Sequence, residues 1–312
     1  MSTEADSERA GEQFSTVAVI GLGIMGGPMA ANLVKAGYRV VGYNRSRAKV
    51  DALVAAGGRG ADSVADAVRG ADVVLTMLPD SPDVEAVLTG ADGVLAHAAE
   101  GALWIDASTI RPDVAVRLAE LARHGGIRPV DAPVSGGEAG AIEASLSIMV
   151  GGTAEDVASA GPVLDAVGST VVHVGPSGAG QTVKAANQLI VAGTIELVAE
   201  ALVFLEAHGV DTESAVRVLA GGLAGNRILD RKAANMIKRE FIPGFRVDLH
   251  HKDLGIVTSA AREAGVAIPL GAAVAQLMGA LRAGGHGALD HSALLLLVEQ
   301  LSGRANREGA TP

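Results

Sequence analysis

Two side chains near the middle of the sequence have the types and the spacing needed for proton transfer to an oriented substrate. Lys184 and Asn187 stand three positions apart in residues 178–188, GAGQTVKAANQ, which open a long apolar stretch. Residues three apart share one face of a helix. Because burial favours the neutral amine, a desolvated Lys184 could exchange a proton near neutral pH while Asn187 orients the substrate. The alternative is a lysine whose ammonium reaches solvent along the helix surface.

A second segment has the composition of an anion-binding loop. Residues 131–140 read DAPVSGGEAG and follow a predicted strand, where open α/β sheets place their ligands. Gly136 and Gly137 leave backbone N–H groups accessible and Ser135 adds a hydroxyl, a combination suited to a carboxylate. An ordinary turn rich in proline and glycine is the alternative interpretation.

A third segment matches the pattern GxGxxG with the residues Gly21, Leu22, Gly23, Ile24, Met25 and Gly26. It follows a short β-branched strand and precedes an apolar helix, the context in which this pattern binds the pyrophosphate of a dinucleotide. Gly21 permits the tight turn, Gly23 admits the phosphates and Gly26 allows close packing of helix and strand. The alternative is a glycine-rich turn in a chain with 41 glycines.

The end of the second predicted strand bears on the choice of dinucleotide. An acidic side chain there pairs with the ribose hydroxyls of NAD, whereas this chain has the uncharged Asn44. Arg45, supported by Ser46 or Arg47, could pair with a 2'-phosphate instead. We therefore expect NADP(H) to be preferred, with NAD(H) possible as cofactor. A solvated basic turn is the alternative.

Composition narrows the class of protein. The chain has 312 residues, of which 49% are hydrophobic and only 2% aromatic, so its core must be built from alanine and branched aliphatic side chains. A net charge of -10 argues against a nucleic-acid partner. The absence of cysteine excludes thiolate catalysis, disulfides and cysteine-bound zinc. An anionic substrate would then need a local cationic site.

The first residues and the most apolar stretch bear on targeting. Residues 1–13 are polar and acidic, which predicts a disordered tail and no secretion signal. Residues 189–205 are apolar but contain Glu196 and Glu200, which are costly in a bilayer. We therefore expect a cytoplasmic protein without membrane contact, in which this stretch forms a helix buried between domains or subunits.

Hydrophobic periodicity predicts two domains. Short β-branched runs alternate with alanine-rich helical stretches up to residue 174, and only helical patterns follow. We predict a Rossmann-type, doubly wound and mostly parallel sheet in residues 14–176, and an all-helical substrate and dimerisation domain in residues 177–312. The predicted strands are 16–20, 38–43, 72–77, 102–105, 127–130, 146–150 and 170–174. The predicted helices of the second domain are 178–208, 211–221, 225–239, 248–264, 269–283 and 290–302.

Other polar and aromatic residues are given structural roles. No metal site is expected, since His250 and His251 are adjacent and no partner stands at a ligand spacing. Trp104 is expected in the core. Asp248 and Asp253 are expected to be a capping or solvated pair of acids; the alternative is that one of them orients Lys252.

The motifs together resemble those of the β-hydroxyacid dehydrogenases. The matching segments, in chain order, are GLGIMGGPMAANL at 21–33, TMLP at 76–79, DAPVSGG at 131–137, GAGQTVKAANQ at 178–188 and GFRVDLHHKDL at 244–254. Within the family, SIMVGG, GGLAGNRILD and GALDHSAL are most similar to the branch that reduces tartronate semialdehyde, 2-hydroxy-3-oxopropanoate. The resemblance covers residues 16–301.

The resemblance implies a role for each motif. Lys184 is the implied proton donor with Asn187 beside it, and Ser135, Gly136 and Gly137 surround the substrate carboxylate. Contacts to the cofactor are implied for Met77, Leu78, Pro79, Thr109 and Lys252. Some relatives have a second asparagine where this chain has Gln188, so either Asn187 or Gln188 could contact the substrate.

These observations leave three activities to compare. The first is hydride transfer on a small hydroxy acid or its semialdehyde, with 2-hydroxy-3-oxopropanoate (tartronate semialdehyde) ahead of 3-hydroxyisobutyrate or succinic semialdehyde. The second is imine reduction, whose enzymes share the architecture but generally lack the helix lysine. The third is a non-catalytic dinucleotide sensor, which would not need both Lys184 and the carboxylate loop. A homodimer or homotetramer is expected.

Overall fold

The computed structural model describes residues 15–304; the tail predicted for residues 1–13 lies outside them. The strands are β1 Thr16–Ile20, β2 Arg39–Tyr43, β3 Arg59–Gly60, β4 Val73–Thr76, β5 Leu103–Asp106, β6 Arg128–Asp131, β7 Val134–Ser135, β8 Leu146–Gly151 and β9 Gly168–Gly175. The first eight helices are α1 Gly26–Lys35, α2 Arg47–Ala55, α3 Val64–Val68, α4 Ser81–Thr89, α5 Val94–His97, α6 Pro112–His124, α7 Gly137–Ile142 and α8 Ala154–Asp165. The next six are α9 Ala179–Ala207, α10 Thr212–Ala220, α11 Arg227–Lys238, α12 Val247–Glu263, α13 Pro269–Leu281 and α14 Leu294–Leu301.

The strands form one sheet whose order runs β3-β2-β1-β4-β5-β6-β8-β7, with β9 paired to β8. The six strands from β3 to β6 are parallel. The chain leaves β1 toward β2 and later returns to β4 on the other side of β1. This reversal of strand order creates a crevice at the carboxyl ends of β1 and β4, where doubly wound sheets bind dinucleotides.

The last strands change direction. β8 runs antiparallel to both β6 and β7, and β9 runs parallel to β8. β6 and β7 are separated by Ala132 and Pro133 alone, so both pair with the same neighbour. Ser135 thereby lies opposite Ser147 in β8, with Gly136 and Gly137 directly after it. The anion loop predicted from the sequence is thus fixed to a strand on one side.

Apolar side chains fill both faces of this sheet. Val17 and Val19 belong to one core, while Ala18 and Ile20 belong to the other, as the alternation of a strand requires. Trp104 lies in the second of these cores, as predicted, and its indole N–H donates to the hydroxyl of Thr76 at 3.1 Å. A buried tryptophan normally needs such a partner.

Residue contacts divide the chain into two compact units, with the division between Lys184 and Ala185 inside α9. The second unit is helical over its described residues and has its own apolar core. α9 is long and apolar enough to cross a membrane by length and composition alone. However, several of its side chains lie in the second core, and core helices of soluble proteins pass the same test. These side chains are Ala192, Ile195, Val198, Ala199, Leu202 and Val203.

The fold class predicted from the sequence is confirmed: a mostly parallel Rossmann-type sheet is followed by helices, with one long helix spanning the two units. All seven predicted strands are present. The short strands Arg59–Gly60 and Val134–Ser135 were missed because two residues carry no periodicity. The last predicted helix begins as a 3-10 turn, His291–Ala293, before α14.

Candidate active site

The glycine loop after β1 has the geometry that a dinucleotide requires. Gly21 has a φ of +97°, which favours glycine, and a Cβ there would lie 2.3 Å from the carbonyl oxygen of Met77. A Cβ on Gly26 would lie 1.9 Å from the carbonyl oxygen of Gly21. A Cβ on Gly23 would meet nothing within 4 Å, so open space lies in front of that residue. Two glycines therefore permit close backbone packing, and the third leaves room for a phosphate.

The remaining residues of this loop differ in exposure. Leu22 is buried in the first core, Met25 is partly buried against it and Ile24 is exposed. α1 begins at Gly26, and the N–H groups of Gly27 and Met29 in its first turn donate to the carbonyls of Gly23 and Met25. The positive end of the helix dipole at this loop favours an anion. The loop thus fits the phosphate part of the predicted cofactor.

Asn44 supports the glycine loop from the end of β2. Its Oδ1 accepts the backbone N–H of Leu22 at 3.1 Å, and its Nδ2 donates to the carbonyl of Ser46 at 3.3 Å. Arg45 and Ser46 are exposed. Arg47 pairs with Asp51 at 3.1 Å and with Asp62 at 2.9 Å. Since Arg47 already has two acidic partners, Arg45 is the better candidate for a 2'-phosphate.

A buried network joins the loops that follow β4 and β5. The carboxylate of Asp106 accepts the hydroxyl of Thr76 at 2.8 Å and the N–H of Ser108 at 3.2 Å. The Ser108 hydroxyl in turn accepts the N–H of Leu78 at 2.9 Å. Burial raises the pKa of Asp106 to about 6, although these hydrogen bonds oppose the shift. Its second oxygen, Oδ2, is buried without a hydrogen bond.

This network places the residues predicted to contact the cofactor at the carboxyl ends of two neighbouring strands. Met77 and Leu78 are partly buried and Pro79 is exposed, in the loop after β4. Thr109 is partly buried in the loop after β5. Sequence reasoning identified these positions but missed Asp106, which connects the two loops.

The predicted carboxylate loop depends on glycine at two positions. Gly136 has a φ of +139° and Gly137 a φ of +66°, and both lie in the region that other residues rarely adopt. A Cβ on Gly136 would also lie 3.1 Å from the side chain of Leu146. Ser135, Gly136 and Gly137 are all partly exposed. The loop therefore presents backbone and hydroxyl groups to a ligand, as an anion site must.

Asp131, the first residue of that segment, holds the beginning of α9. Its Oδ1 accepts the N–H of Gly178 at 2.7 Å, and its Oδ2 accepts the N–H of Gln181 at 3.1 Å. The carboxylate thus satisfies N–H groups that a helix N-terminus leaves unpaired. Burial raises the pKa of Asp131, and the backbone N–H groups oppose that shift.

Close approach between α9 and the sheet requires small residues. A Cβ on Gly180 would lie 2.4 Å from the carbonyl oxygen of Met149, and one on Gly151 would lie 2.5 Å from Asp131 Oδ1. The side chain of Gln181 adds two bonds, since its Oε1 accepts the N–H of Ile110 at 3.1 Å and its Nε2 donates to the carbonyl of Ser108 at 2.8 Å. The first turn of α9 is therefore fixed to the ends of β5 and β6.

Lys184 lies one turn after this anchor. It is buried, with 6% of its surface exposed, so its ammonium does not extend into solvent along the helix. Gln181 and Lys184 are three positions apart on α9 and share a face of the helix. Asp131, at the end of β6, therefore connects the two parts: it begins the segment that contains the loop at 135–137, and it binds the helix turn that precedes Lys184.

The second unit holds the two amides that follow Lys184 in sequence. Asn187 Nδ2 donates to Gln188 Oε1 at 2.8 Å, and Gln188 Nε2 donates to Asp253 Oδ2 at 2.5 Å. Lys252 Nζ lies 2.8 Å from the other oxygen of Asp253. Gln188 is 4% exposed, whereas Asn187 is only partly buried. Asn187 is therefore the better placed of the two amides to meet a ligand.

The expectation that Asp248 and Asp253 form a solvated pair was wrong for one member. Asp248 is exposed and pairs with Arg282 at 2.7 Å, but Asp253 is 2% exposed and pairs with Lys252. The apolar face of α12 explains this, because Asp253 follows buried His250 by three positions and precedes buried Val257 by four. Across residues 15–304, no group of three or more His, Asp or Glu side chains is arranged to hold a metal.

The structure thus assembles the predicted residues in two groups. In the first unit, Asp131 joins the 131–137 segment to the 178–184 segment. In the second unit, Asp253 joins Asn187 and Gln188 to Lys252. Sequence reasoning missed Asp131 and Gln181 as anchors, although the small residues at 178–180 signalled a close approach to another element.

Comparison with known proteins identifies the families to which the two parts of the chain are similar. Residues 16–175 match the family described as the NAD-binding domain of 6-phosphogluconate dehydrogenase. Residues 178–298 match the family described as NAD-binding of NADP-dependent 3-hydroxyisobutyrate dehydrogenase. Together these two matches cover most of the described chain.

Similar proteins cover nearly the whole chain. A 2-hydroxy-3-oxopropionate reductase from Escherichia coli is 39% identical over 283 residues, 91% of this chain and 97% of that protein. An NAD-dependent L-serine dehydrogenase from Pseudomonas aeruginosa is 38% identical over 298 residues, 92% of this chain and 99% of that protein. The structure of Mycobacterium tuberculosis 3-hydroxyisobutyrate dehydrogenase with L-serine superposes with a TM-score of 0.81 at 37% identity, covering 91% of this chain and 98% of that one. The chain therefore belongs to the β-hydroxyacid dehydrogenase family and is an NAD(P)-dependent oxidoreductase.

Proposed function

We propose that the protein reduces a small semialdehyde acid to the corresponding hydroxy acid, with Lys184 as the proton donor. The observation that carries the proposal is the anchor of α9. Asp131 begins the loop suited to a carboxylate and also holds the helix turn that precedes Lys184. One strand end thus supports both the group that would bind the substrate acid and the group that would protonate its reacting oxygen.

Each residue then has a defined task. The hydride for the aldehyde carbon would come from a reduced nicotinamide, when bound. Ser135 and the backbone of Gly136 and Gly137 hold the substrate carboxylate. Lys184 donates a proton to the alkoxide as it develops. Because a three-carbon acid is held at both ends, orientation contributes more to the rate than affinity does.

We propose residues 14–176 as the dinucleotide-binding domain and 177–312 as the domain for substrate and dimerisation. The glycine loop at 21–26 would hold the pyrophosphate, and Asn44, Arg45 and Ser46 would meet the adenosine ribose. The residues proposed to contact the cofactor nearer its nicotinamide are Met77, Leu78, Pro79, Thr109 and Lys252. The exposed Arg45 and the absence of an acid at position 44 support a preference for NADP(H), with NAD(H) as the second choice.

Among substrates, we propose 2-hydroxy-3-oxopropanoate, reduced to D-glycerate. The similarity to the reductase from E. coli supports this choice, together with the paired amides Asn187 and Gln188, which suit a hydroxylated acid. Relatives named for L-serine and for 3-hydroxyisobutyrate are almost equally similar. Dehydrogenation of 3-hydroxyisobutyrate is therefore the second candidate, and a substrate panel must separate the two.

The experiment is a kinetic comparison on one preparation of enzyme with saturating NADPH. We expect a higher kcat/KM for 2-hydroxy-3-oxopropanoate than for methylmalonate semialdehyde or succinic semialdehyde, and oxidation of D-glycerate at alkaline pH. A tenfold preference for the methyl-branched or the four-carbon substrate would refute the choice of substrate. Absence of turnover on every substrate, with intact dinucleotide binding, would favour a sensor over an enzyme.

The role of Lys184 is tested by Lys184→Ala. We expect kcat to fall by roughly 100-fold or more, the usual scale for general acid catalysis, while the Kd for NADPH stays within a few-fold. Lys238→Ala, at an exposed position near the end of α11, is the matched control. A folded Lys184→Ala enzyme with near wild-type turnover would contradict the assignment.

We also propose a cytoplasmic homodimer or homotetramer. Ile190, Leu197 and Phe204 recur every seven residues along α9, and each is more than 60% exposed. Burial of this apolar stripe against a second copy of the chain would remove its side chains from water, which favours an oligomer. Light scattering after gel filtration would show an assembly in wild type, and a monomeric wild type would refute this proposal.

A further inference from the structure

The side chain of Gln181 holds the backbone on both sides of Thr109. Its Nε2 donates to the carbonyl oxygen of Ser108 at 2.8 Å, and its Oε1 accepts the N–H of Ile110 at 3.1 Å. Gln181, Ser108 and Ile110 are 1%, 0% and 1% exposed, so bulk water does not compete for these bonds. We call this pair of hydrogen bonds the Thr109 clamp.

The orientation of the Gln181 amide is fixed by the backbone groups that it meets. A backbone N–H group only donates, and a backbone carbonyl oxygen only accepts. If the amide turned over, its NH₂ group would face the Ile110 N–H and its oxygen would face the Ser108 carbonyl. Both bonds would then be lost at buried positions, where unpaired polar groups are costly. The clamp therefore has one favourable arrangement.

The clamp joins two parts of the first unit that would act on the same substrate group. Thr109 lies in the loop after β5, and the Ser108 hydroxyl also accepts the N–H of Leu78, in the loop after β4, at 2.9 Å. Both loops are expected near the nicotinamide. At the other end of the clamp, Gln181 shares a face of α9 with Lys184, about one turn further along. One buried side chain thus connects the cofactor loops to the helix turn that precedes the proposed proton donor.

Reduction of a carbonyl group makes the distance between these two parts important. A hydride must reach the carbon while a proton reaches the oxygen, and these two atoms are only about 1.2 Å apart. The groups that supply them must therefore keep a fixed separation, since an error near 1 Å costs about 100-fold in rate.

We propose that Gln181 is a positioning residue that sets this separation by holding Thr109 relative to Lys184. The helix turn is the fixed part, because Asp131 binds its backbone N–H groups. The loop around Thr109 is the part that the clamp holds against it. The contribution of Lys184 rests on the proposed function, whereas the clamp itself does not.

The first test is Gln181→Met, which keeps the length of the side chain and removes both bonds. The helix turn should stay in place, since its bonds to Asp131 involve only backbone N–H groups. We expect kcat to fall about tenfold or more, with KM for the semialdehyde changed less than about threefold. The isotope effect on kcat with NADPH deuterated at the transferred position should increase, because transfer slows relative to product release.

A purely structural role gives a different result. Gln181→Met would then lower the unfolding midpoint, while the folded enzyme kept near wild-type kcat and an unchanged isotope effect. That outcome would overturn the proposal.

The second test is Gln181→Glu, which can restore the clamp by protonation. The carboxyl group keeps an acceptor for the Ile110 N–H, but it donates to the Ser108 carbonyl only when protonated. Relative to wild type at the same pH, we expect kcat to be about tenfold lower near about pH 9 and within about threefold near about pH 6. Gln181→Met should show no such recovery. A deficit in Gln181→Glu that does not change with pH would contradict the bond to Ser108.

The charges around position 181 determine where this recovery falls. Burial raises the pKa of a glutamic acid introduced there above its ordinary value of about 4.3, and the nearby carboxylates of Asp106 and Asp131 act in the same direction. The Lys184 ammonium opposes the shift. Because the position is 1% exposed, we expect the increase to prevail and the recovery to begin above the ordinary range of a glutamic acid.

A double-mutant cycle tests whether Gln181 acts through the separation from Lys184. If it does, Gln181→Met should cost about tenfold in the wild-type background but less than about threefold in Lys184→Ala, where no proton donor needs to be placed. Equal losses in both backgrounds would show that the clamp serves the cofactor loop alone, and would overturn the proposal.

A readout without turnover examines the clamp directly. Exchange of the Ile110 amide hydrogen should be slow in wild type and in Gln181→Glu, and about tenfold faster or more in Gln181→Met. Equal exchange in wild type and Gln181→Met would show that the clamp does not form. If wild type protects this amide but reduces no semialdehyde, the proposed function fails and the clamp stands. Gln276→Met and Gln276→Glu make the same exchanges at an exposed position of α13, and should change none of these quantities.

Discussion

The anchor of α9 leads to a prediction at Gly180, where one added methyl group should displace the helix turn before Lys184. In Gly180→Ala the new Cβ would lie 2.4 Å from the Met149 carbonyl oxygen and 2.8 Å from Asp131 Oδ2. Real Cβ atoms essentially never approach closer than 3.0 Å, so the turn must move by at least 0.6 Å from the carbonyl. That carbonyl belongs to β8 and cannot rotate away as a side chain would.

The magnitude follows from two opposing effects. Overpacking of this kind costs about 1–3 kcal/mol, and the better helix propensity of alanine returns up to about 1 kcal/mol. The two effects together give a net loss in the free energy of unfolding between about 0 and 3 kcal/mol, with about 1–2 kcal/mol at the centre of that range. Because displacements near 1 Å at a catalytic group cost about 100-fold in rate, the smaller shift at Lys184 should lower kcat on the order of tenfold.

The assay pairs this variant with Gly255→Ala, which adds the same methyl group in the middle of α12. That position is exposed, and a Cβ there would meet nothing within 4 Å. We expect Gly255→Ala to be as stable as wild type or more stable, with kcat unchanged. Urea unfolding and steady-state kinetics give both quantities. Equal behaviour of the two variants would refute the view that the anchor determines the position of Lys184.

Two further predictions concern the first unit. Arg45→Ala should raise KM for NADPH roughly tenfold or more and change KM for NADH little. The control Arg47→Ala, which removes the ion pairs with Asp51 and Asp62, should affect both cofactors alike. Equal effects of the two variants on KM for NADPH would exclude the 2'-phosphate role of Arg45. Asp106 binds its proton more tightly in the folded chain, with a pKa of about 6 against an ordinary 3.8, so wild-type stability should fall by up to about 3 kcal/mol as the pH rises from about 4 to about 6. Asp106→Asn should lack that decrease in urea unfolding at several pH values, and a parallel pH dependence in both proteins would contradict the role given to burial.

The fold was predictable wherever local pattern decides structure. The β-branched runs gave the seven longer strands, and the GxGxxG pattern gave the tight turn whose glycines the structure requires at Gly21 and Gly26. Gly136 and Gly137 were predicted from the same local argument and have positive φ. Strands and glycine turns of this kind depend on residues close together in the sequence, so hydrophobic periodicity and short motifs are enough to predict them.

The connections between distant segments were not predictable in the same way. Asp131 meets Gly178 across 47 positions of sequence, and Gln188 meets Asp253 across 65. A single sequence gives no register for such pairs. Asp253 shows the limit most clearly: its charge suggested solvent, while its place on the apolar face of α12 required burial. The burial of Asp253 could have been predicted from its position on the apolar face of the helix, had that position been given more weight than its charge.

The division between the two compact units falls inside α9 and not in a loop, so the chain has no linker between Lys184 and Asn187. Each residue of a helix turns the chain by about 100° and advances it by about 1.5 Å. One residue inserted between these two would carry Asn187 more than a quarter turn around the helix relative to Lys184. We therefore expect this stretch to tolerate substitutions but neither insertions nor deletions, and chimeras that join halves of related enzymes to work only when the number of residues across the junction is kept.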